Sequence, residues 1–490
     1  MRMISVFLRE QKRYTQEELV ELFCGTESVV VGILKRLKEY GILKAVKATD
    51  DQRRLSDLAE NDVEIADVEA GENEYMYVFT FVGVITVEGR VLKCFPKYLL
   101  DAEKPVGELK QVIKVIEKYN NSEQIIRLFN DSADSTAFNM LAVMLWLIHD
   151  YYENGSYSNA HDIIELNGEG EIVWDKTINE TFAVISENRP YYPDLYTRRH
   201  VSDDADFFKR LHECILTRCS KELNDADLLE LFDITGIELS DESIEDFGDT
   251  EYILDRIYKE LNVQFNTRKQ LLLKTLYSYI ANSSIHIDDM DCFSMFGTKS
   301  FNLVWERVCA EVFDNKLQTP LALIDLPSRL TDEYNPRMHL IDVIDHPMWF
   351  GRSGSEEYLH KAADTLIPDI ISIYKENNEY KCIIFDAKYY NLQLKKDKPL
   401  RGQPGIESVT KQYLYQMAYM GFLRDHAISY FRNCFLMPSE GSEILCTGYV
   451  TMGFLQNMGL ENIQIRLMPA RRMYQMYLEN RKMDIAELGL

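Results

Sequence analysis

The sequence predicts a multidomain α+β protein, with a helix-turn-helix unit first, a helical middle region and an α/β region last. Three observations predict it. A chain of 490 residues exceeds what one hydrophobic core usually organises, so about two to four domains are expected. Apolar residues recur at helical spacing through 15–40 and again through much of 101–290. After that, short apolar strand-like runs alternate with helical ones, the pattern of an α/β layer. The expected boundaries are 1–100, 101–290 and 291–490.

Composition narrows the class. Hydrophobic residues at 46% and charged residues at 27% are ordinary for a soluble globular chain. The opening Met1-Arg-Met-Ile runs straight into a charged amphipathic stretch, unlike a secretory leader. The longest apolar run, Met140 to Ile148, is too short to cross a bilayer and reads as a core helix. A cytoplasmic protein without a membrane partner is expected. The nine cysteines have no CxxC spacing and form no zinc or iron–sulfur set with histidine. Unclustered thiols, such as Cys382 before Ile383-Ile384-Phe385, fit a reducing compartment.

A net charge of −25 weighs against nucleic acid, whose phosphates attract Lys and Arg. The charge is uneven, however. Acidic residues crowd Glu222 to Glu260, which reads as a solvated face or a protein-docking surface. Basic residues gather from Lys35 to Lys47, and at Lys395, Lys396 and Lys398 with Arg401. Net charge alone does not exclude DNA.

In the N-terminal unit, Thr15 and Glu18 have capping-box spacing and open a helix carrying Leu19, Val20, Leu22 and Phe23. Gly25 breaks the chain, Thr26 is expected to cap a second helix with Val30, Ile33, Leu34 and Leu37 inside, and Gly41 stops it. An acidic loop and two β-rich runs follow, Tyr75 to Val82 and Val84 to Phe95. This order resembles a winged-helix domain, which implies that Lys35, Arg36 and Lys38 on the second helix face DNA; protein contact through the same surface is the alternative. The middle region reads as mainly helical, with Val112, Ile113, Val115 and Ile116, then Leu271, Leu272 and Leu276, at helical spacing. Asn167-Gly-Glu-Gly170 and Arg189-Pro-Tyr-Tyr-Pro193 read as punctuation. No site is identifiable there.

The chemistry-bearing residues lie further on. Phosphodiester hydrolysis calls for a divalent cation held by hard oxygen ligands, hence at least two converging carboxylates, and a cationic side chain aimed at the attacking water. Pro368-Asp369-Ile-Ile-Ser-Ile-Tyr374 and Ile383-Ile-Phe-Asp386-Ala387-Lys388 meet that need. Glu376-Asn-Asn-Glu379 between them is a polar turn, so the runs should pair as a hairpin. Alternation then sets Cys382, Ile384, Asp386 and Lys388 on one face, with Asp369 entering from the neighbouring strand. Two aspartates and a lysine at the end of an apolar hairpin are costly to place without a use. A surface hairpin with an incidental Asp–Lys pair is the bland alternative.

The pattern resembles the PD-(D/E)xK nuclease superfamily. That resemblance implies a C-terminal α/β nuclease domain in which Asp369 and Asp386 ligate Mg²⁺, the Ala387 carbonyl completes the shell and Lys388 orients or helps deprotonate the water. It also implies a further glutamate from a preceding helix, matched by Glu306 in the amphipathic run Phe301 to Phe313. A polar residue on the following helix, Val409 to Leu423, often assists; Gln412 is preferred over Gln416. More narrowly, Phe81-Val-Gly-Val-Ile85 with Pro96-Lys97-Tyr98, Asn167 to Trp174 with Thr177-Ile178, and His346-Pro-Met-Trp349 ahead of Leu366-Ile-Pro-Asp369 resemble LlaJI-type restriction endonuclease subunits. The chain is also similar to McrC, the nuclease partner of a GTP-hydrolysing motor. The likeness implies a Mg²⁺-dependent endonuclease subunit of a restriction or phage-defence system. It would act on double-stranded DNA, work with a McrB-like AAA+ GTPase and assemble as a homo- or hetero-oligomer.

No Walker A motif, HExxH, GxSxG or Cys-His catalytic set occurs. His346 and His360 flank the Pro-Asp strand and read as structural. Two alternatives remain open: a non-catalytic winged-helix DNA- or protein-binding assembly subunit, and a DNA repair or processing nuclease.

Overall fold

The computed structural model describes residues 4–47, 75–120, 139–158, 160–202, 206–282, 293–354 and 356–490. The acidic loop expected before Tyr75 and Cys292 lie outside them. The chain forms two compact units, one over Ile4–Ile85, Arg90–Ser135 and Met295–Leu490, the other over Thr86–Gly89 and Thr136–Ser294. Among the described residues no helix is long and apolar enough to cross a membrane.

The larger unit begins with β1 (Ile4–Arg9) and β2 (Arg13–Tyr14), followed by α1 (Gln16–Leu22) and α2 (Glu27–Glu39). The Thr15 capping box forms as expected, hydroxyl and Glu18 carboxylate each taking the other's backbone N–H. Thr26 sits at the N-cap of α2 but makes no capping hydrogen bond; its hydroxyl lies 3.2 Å from Ser28 Oγ instead. Gly41, at φ +64, ends α2 in the left-handed conformation that glycine adopts without strain. Val30, Ile33, Leu34 and Leu37 are buried, as their spacing predicts.

Strands β3 (Leu43–Lys47) and β4 (Tyr75–Phe79) complete a three-stranded antiparallel sheet in the order β2-β4-β3. The β-rich run expected from Val84 to Phe95 is a hairpin. It comprises β5 (Val82–Val87) and β6 (Arg90–Phe95), with Glu88 and Gly89 at positive φ in the turn. Strand β6 pairs in parallel with β1. Arg90, nearly buried, donates to the Phe23 carbonyl at 2.8 Å, fastening the helix-turn-helix to this sheet. Helix α3 (Val106–Tyr119) follows with its predicted apolar face buried.

The smaller unit holds α4 (Met140–Asn154), β7 (Ala160–Leu166), β8 (Glu171–Ile172), α5 (Trp174–Glu180), β9 (Val184–Ser186), β10 (Arg189–Tyr191) and β11 (Tyr196–Ser202). Helices α6 (Phe207–Asp225), α7 (Thr250–Val263) and α8 (Thr267–Ala281) finish it. Met140 to Leu145, Leu147 and Ile148 are buried in α4, so the long apolar run is a core helix. Asp150, also on α4, takes a two-pronged ion pair from Arg268 at 3.0 and 2.7 Å. The strands were not foreseen. Arg189-Pro-Tyr191, read as punctuation, is β10, because Glu187 and Asn188 at positive φ make the turn one step earlier. These strands expose much of their apolar content, Val184, Ile185 and Tyr191 included, and so lack the one-sided alternation by which strands are read.

The rest of the larger unit supplies β12 (Phe293–Thr298), α9 (Phe301–Val312), the hairpin β13 (Met348–Ser353) and β14 (Glu356–Lys361), then β15 (Ile370–Glu376) and β16 (Glu379–Ala387). After these come α10 (Ile406–Asp425), β17 (Tyr430–Ser439), β18 (Leu445–Val450), α11 (Gly453–Gln456), β19 (Ile463–Pro469) and α12 (Ala470–Leu478). Strand β12 joins the first sheet beside β5. The main sheet has the order β15-β16-β17-β19-β18, with β16, β17 and β19 mutually parallel and the outer strands antiparallel. Helix α10 crosses from β16 to β17, the connection that parallel neighbours require. Covered on both faces, β16 and β17 carry near-continuous apolar runs. Helix α9 packs on β16, with Phe313 just beyond it stacked on Phe385 at 5.0 Å, while Tyr415, Tyr419 and Phe422 of α10 pack with Cys382 and Ile384.

At one crossing two strands meet glycine to glycine. A Cβ on Gly83, at φ +143, would lie 2.1 Å from the Phe296 carbonyl oxygen, and one on Gly297 would lie 2.2 Å from the Val82 oxygen. Replacing Gly83 by alanine must push the strands apart and strain the backbone, at about 1–3 kcal/mol for the conformation alone. Gly83→Ala should therefore lower the urea unfolding midpoint clearly, whereas Gly107→Ala, which meets open space, should not.

Candidate active site

Strands β15 and β16 pair from Ile370 opposite Phe385 to Glu376 opposite Glu379. Asn377 and Asn378, both at positive φ, form the tight turn that fixes this register. Asp369, one residue ahead of β15, is thereby brought opposite Asp386. The Ala387 N–H donates to Asp369 Oδ2 at 3.0 Å, and the Asp369 and Asp386 carboxyl groups lie within hydrogen-bonding reach of each other. Lys388 Nζ stands 3.0 Å from Asp386 Oδ1. Asp386 is 4% exposed, while Asp369 and Lys388 are half-buried and reach the surface. The three side chains singled out in the hairpin do converge.

The framework around them is specific. Lys388 N–H and Trp305 Nε1–H both donate to the Leu436 carbonyl on β17, at 2.9 and 3.1 Å, locking α9, β16 and β17 together at the site. Asn315, just past α9, donates to the Asp369 carbonyl at 2.8 Å and accepts from the Ile371 N–H at 3.1 Å. Tyr415 on α10 donates to the Ile367 carbonyl at 2.9 Å. Beyond Lys388, the buried Tyr389 hydroxyl donates to Glu10 at 2.5 Å, and the same carboxylate takes the Lys97 N–H. None of Asn315, Tyr415 or Glu10 was foreseen. Tyr415 has a usable signal, three residues from Gln412 on one helical face; Glu10 has none, because its partner is hundreds of residues away.

The expected helper residues divide. Glu306, half-buried on α9, joins Asp369 in acting on Cys309 and joins both aspartates in acting on Lys388, so it belongs to the same electrostatic centre. Gln412 is fully buried and donates to the Ile384 carbonyl at 2.9 Å and to Asn433 Oδ1 at 3.2 Å. It fastens α10 to the strand that carries Asp386. Gln416 accepts from Asn433 and from the Glu461 N–H. On α2, Lys35 is exposed and Arg36 and Lys38 are half-buried. His346 braces the base of the β13–β14 hairpin through the Ala362 carbonyl, a structural role.

Burial, and then the facing Asp369 carboxylate, push the Asp386 pKa well above the ordinary carboxylate range; Lys388 opposes the shift without cancelling it. For Lys388, desolvation favours the neutral amine, but Asp386, Asp369 and Glu306 outweigh it and hold the ammonium form above its usual range. Among the described residues no group of three or more His, Cys, Asp or Glu side chains gathers as a ready metal cage. The acidic centre is the pair Asp369–Asp386, with Glu306 acting from α9. Two hard carboxylates forced together in a desolvated place suit a divalent cation, whose charge would offset their repulsion.

A sequence model of the LlaJI restriction endonuclease family matches residues 81–468. The chain belongs to that family. It is 28% identical over 495 residues to the Type II restriction enzyme BsuMI component YdjA of Bacillus subtilis (strain 168), covering 99% of this chain and 91% of that protein. Among solved structures, a chain from the assembly of Thermococcus gammatolerans McrB AAA+ hexamers with bound McrC aligns over 97% of this chain and 99% of its own. The identity is 12% and the TM-score 0.36. A chain of the Thermococcus gammatolerans McrBC complex aligns over 62% of this chain and 85% of its own, with 13% identity and a TM-score of 0.24. The family match places the chain among restriction endonuclease proteins. The matched span takes in Glu306, Asp369, Asp386, Lys388 and Gln412 and leaves out Lys35, Arg36 and Lys38.

The raised Asp386 pKa has a consequence for stability. A carboxyl whose folded value exceeds its unfolded value, about 3.9, stabilises the fold fully below that pH and loses the contribution as pH rises toward the folded value. With chelator present, the wild type should therefore lose stability relative to Asp386→Asn from about pH 4 upward. Urea unfolding at a series of pH values reads this directly; parallel pH curves would mean that Asp386 ionises as freely as a surface aspartate.

Proposed function

We propose that this LlaJI-family subunit is a Mg²⁺-dependent endonuclease of the PD-(D/E)xK type that hydrolyses phosphodiester bonds of double-stranded DNA. The observation that carries the proposal is the convergence of Asp369, Asp386 and Lys388 at the end of the β15–β16 hairpin. On this reading residues 291–490 are the nuclease domain, 1–100 a winged-helix domain presenting Lys35, Arg36 and Lys38 to DNA, and 101–290 a mainly helical domain. Asp369 and Asp386 would hold the Mg²⁺, with the Ala387 carbonyl. When bound, the ion supplies charge stabilisation at the phosphoryl group and a more acidic water.

Lys388 remains an ammonium group under the pull of its carboxylates. Its part is to orient the attacking water or help deprotonate it, and to offset negative charge. Glu306 adds to the field that keeps Lys388 charged, and Gln412 braces β16 through the Ile384 carbonyl. The likeness of the sequence to McrC supports a McrB-like AAA+ GTPase as partner in a hetero-oligomer; without a Walker A motif in this sequence, nucleotide-driven movement would come from that partner.

The decisive assay incubates wild type and Asp386→Ala with unmodified and methylated duplex, Mg²⁺, and the McrB-like GTPase of the same system with GTP. Loss of a metal ligand should cut cleavage at least about a hundredfold. Cleavage by the variant at the full rate would falsify the assignment and leave the chain a non-catalytic assembly subunit. Lys388→Ala should lower kcat while the Mg²⁺ concentration for half-activity stays near that of the wild type.

A further inference from the structure

Immediately beyond the site, the chain forms a short basic loop that the proposed chemistry does not use. Between Gln393 and Arg401 it carries Lys395, Lys396, Lys398 and Arg401 against a single carboxylate, Asp397, in a chain whose net charge is −25. All four cations are exposed. Among the described residues none of the four is held in an ion pair, unlike Arg432 with Glu461, Arg472 with Glu487 and Arg307 with Glu311. In so acidic a protein, unpaired cations concentrated at one spot run against the general charge.

The loop is held at its root. Gln393 N–H donates to the Arg401 carbonyl at 2.9 Å, closing it, and Lys398 N–H donates to the Lys395 carbonyl at 3.2 Å, turning the tip. Gly402, at φ +63, lets the returning chain pass under Asn391, where a Cβ would lie 2.0 Å from the Asn391 oxygen. Asn391 in turn donates to the Lys97 carbonyl at 2.7 Å, and Leu392 packs against the core cluster under β17 and β19. The root is anchored while the charged tip stands in solvent.

Gln393 is five residues beyond Lys388, so the root lies within about 18 Å of the lysine at full extension. At about 3.4 Å per step along one DNA strand, that is roughly five base pairs. We propose that this loop grips the phosphate backbone of duplex DNA beside the scissile bond, through Lys395, Lys396, Lys398 and Arg401. The loop has no aromatic ring to stack on a base, and three of its four cations are lysines, which act as point charges on phosphate. Its contribution is therefore to affinity and register, not to sequence reading. The inference rests on the nuclease reading above and adds the surface by which the substrate is held.

The test compares wild type with the fourfold variant Lys395→Gln, Lys396→Gln, Lys398→Gln, Arg401→Gln. Binding to a fluorescent duplex of arbitrary sequence is followed by anisotropy with chelator present, from about 50 to 200 mM KCl. Each lost phosphate contact flattens the plot of log affinity against log salt by about 0.9. The variant should lose about 2 to 4 units of slope and bind more weakly at low salt, alike for every sequence. The slope is the discriminating quantity, because partial misfolding lowers the active fraction without changing it. If wild type binds and the variant matches its slope and affinity, the loop is not a DNA contact. If the variant keeps the slope but loses association with its partner subunits, the loop docks protein and the inference is overturned. A wild type that holds no duplex even at low salt removes the DNA reading itself, a result distinct from either.

Discussion

Two carboxyl groups held against each other in a desolvated strand end are the constraint around which the larger unit is arranged. Left in water, Asp369 and Asp386 would ionise apart. Here the hairpin register places them opposite, and β16 runs into the core so that Asp386 has little solvent to support a charge. Such an arrangement costs free energy unless something positive shares the site. Lys388 supplies part of that charge at 3.0 Å, but the Asp386 pKa remains raised, so the lysine alone does not balance the pair.

The surrounding fold keeps this tension from relaxing. A carboxylate pair on a loop would swing apart; this pair is tied by backbone contacts on both sides. Asn315 grips Asp369 from the end of α9, and the Leu436 carbonyl collects Lys388 N–H and Trp305 Nε1–H at one point. Because Tyr389 then locks onto buried Glu10, the residue after the lysine is fixed by the N-terminal segment. Glu10 and Lys97 thus tie their segments to the active strand. They contribute a wall to the strand that carries the acidic centre.

Charge is distributed with the same logic. The chain is strongly acidic, and several of its exposed cations, such as Arg307, Arg352 and Arg472, are matched by carboxylates close by. Four cations without an ion pair among the described residues gather on the loop that leaves the active strand. An acidic protein can still address a polyanion where several uncommitted cations are gathered on a rigid root.

Taken alone, the amino-acid sequence determined what depends on short-range spacing. The Thr15–Glu18 cap, the buried faces of α2 and α3, the core helix at Met140, and the β15–β16 hairpin with its Asn-Asn turn all follow from local periodicity and turn chemistry. So does the meeting of Asp386 with Lys388, two residues apart on one strand face. Tertiary structure decided whatever needed distant chain segments. It paired β6 in parallel with β1 and inserted β19 between β17 and β18. It also turned Gln412 from a neighbour of the carboxylates into a brace on Ile384. Strands β8, β9 and β10 escaped because they are exposed on both faces, which leaves no buried face to alternate with a solvated one. Glu10 and Asn315 escaped because a side chain's partner across hundreds of residues leaves no mark in local pattern; only packing brings such groups together.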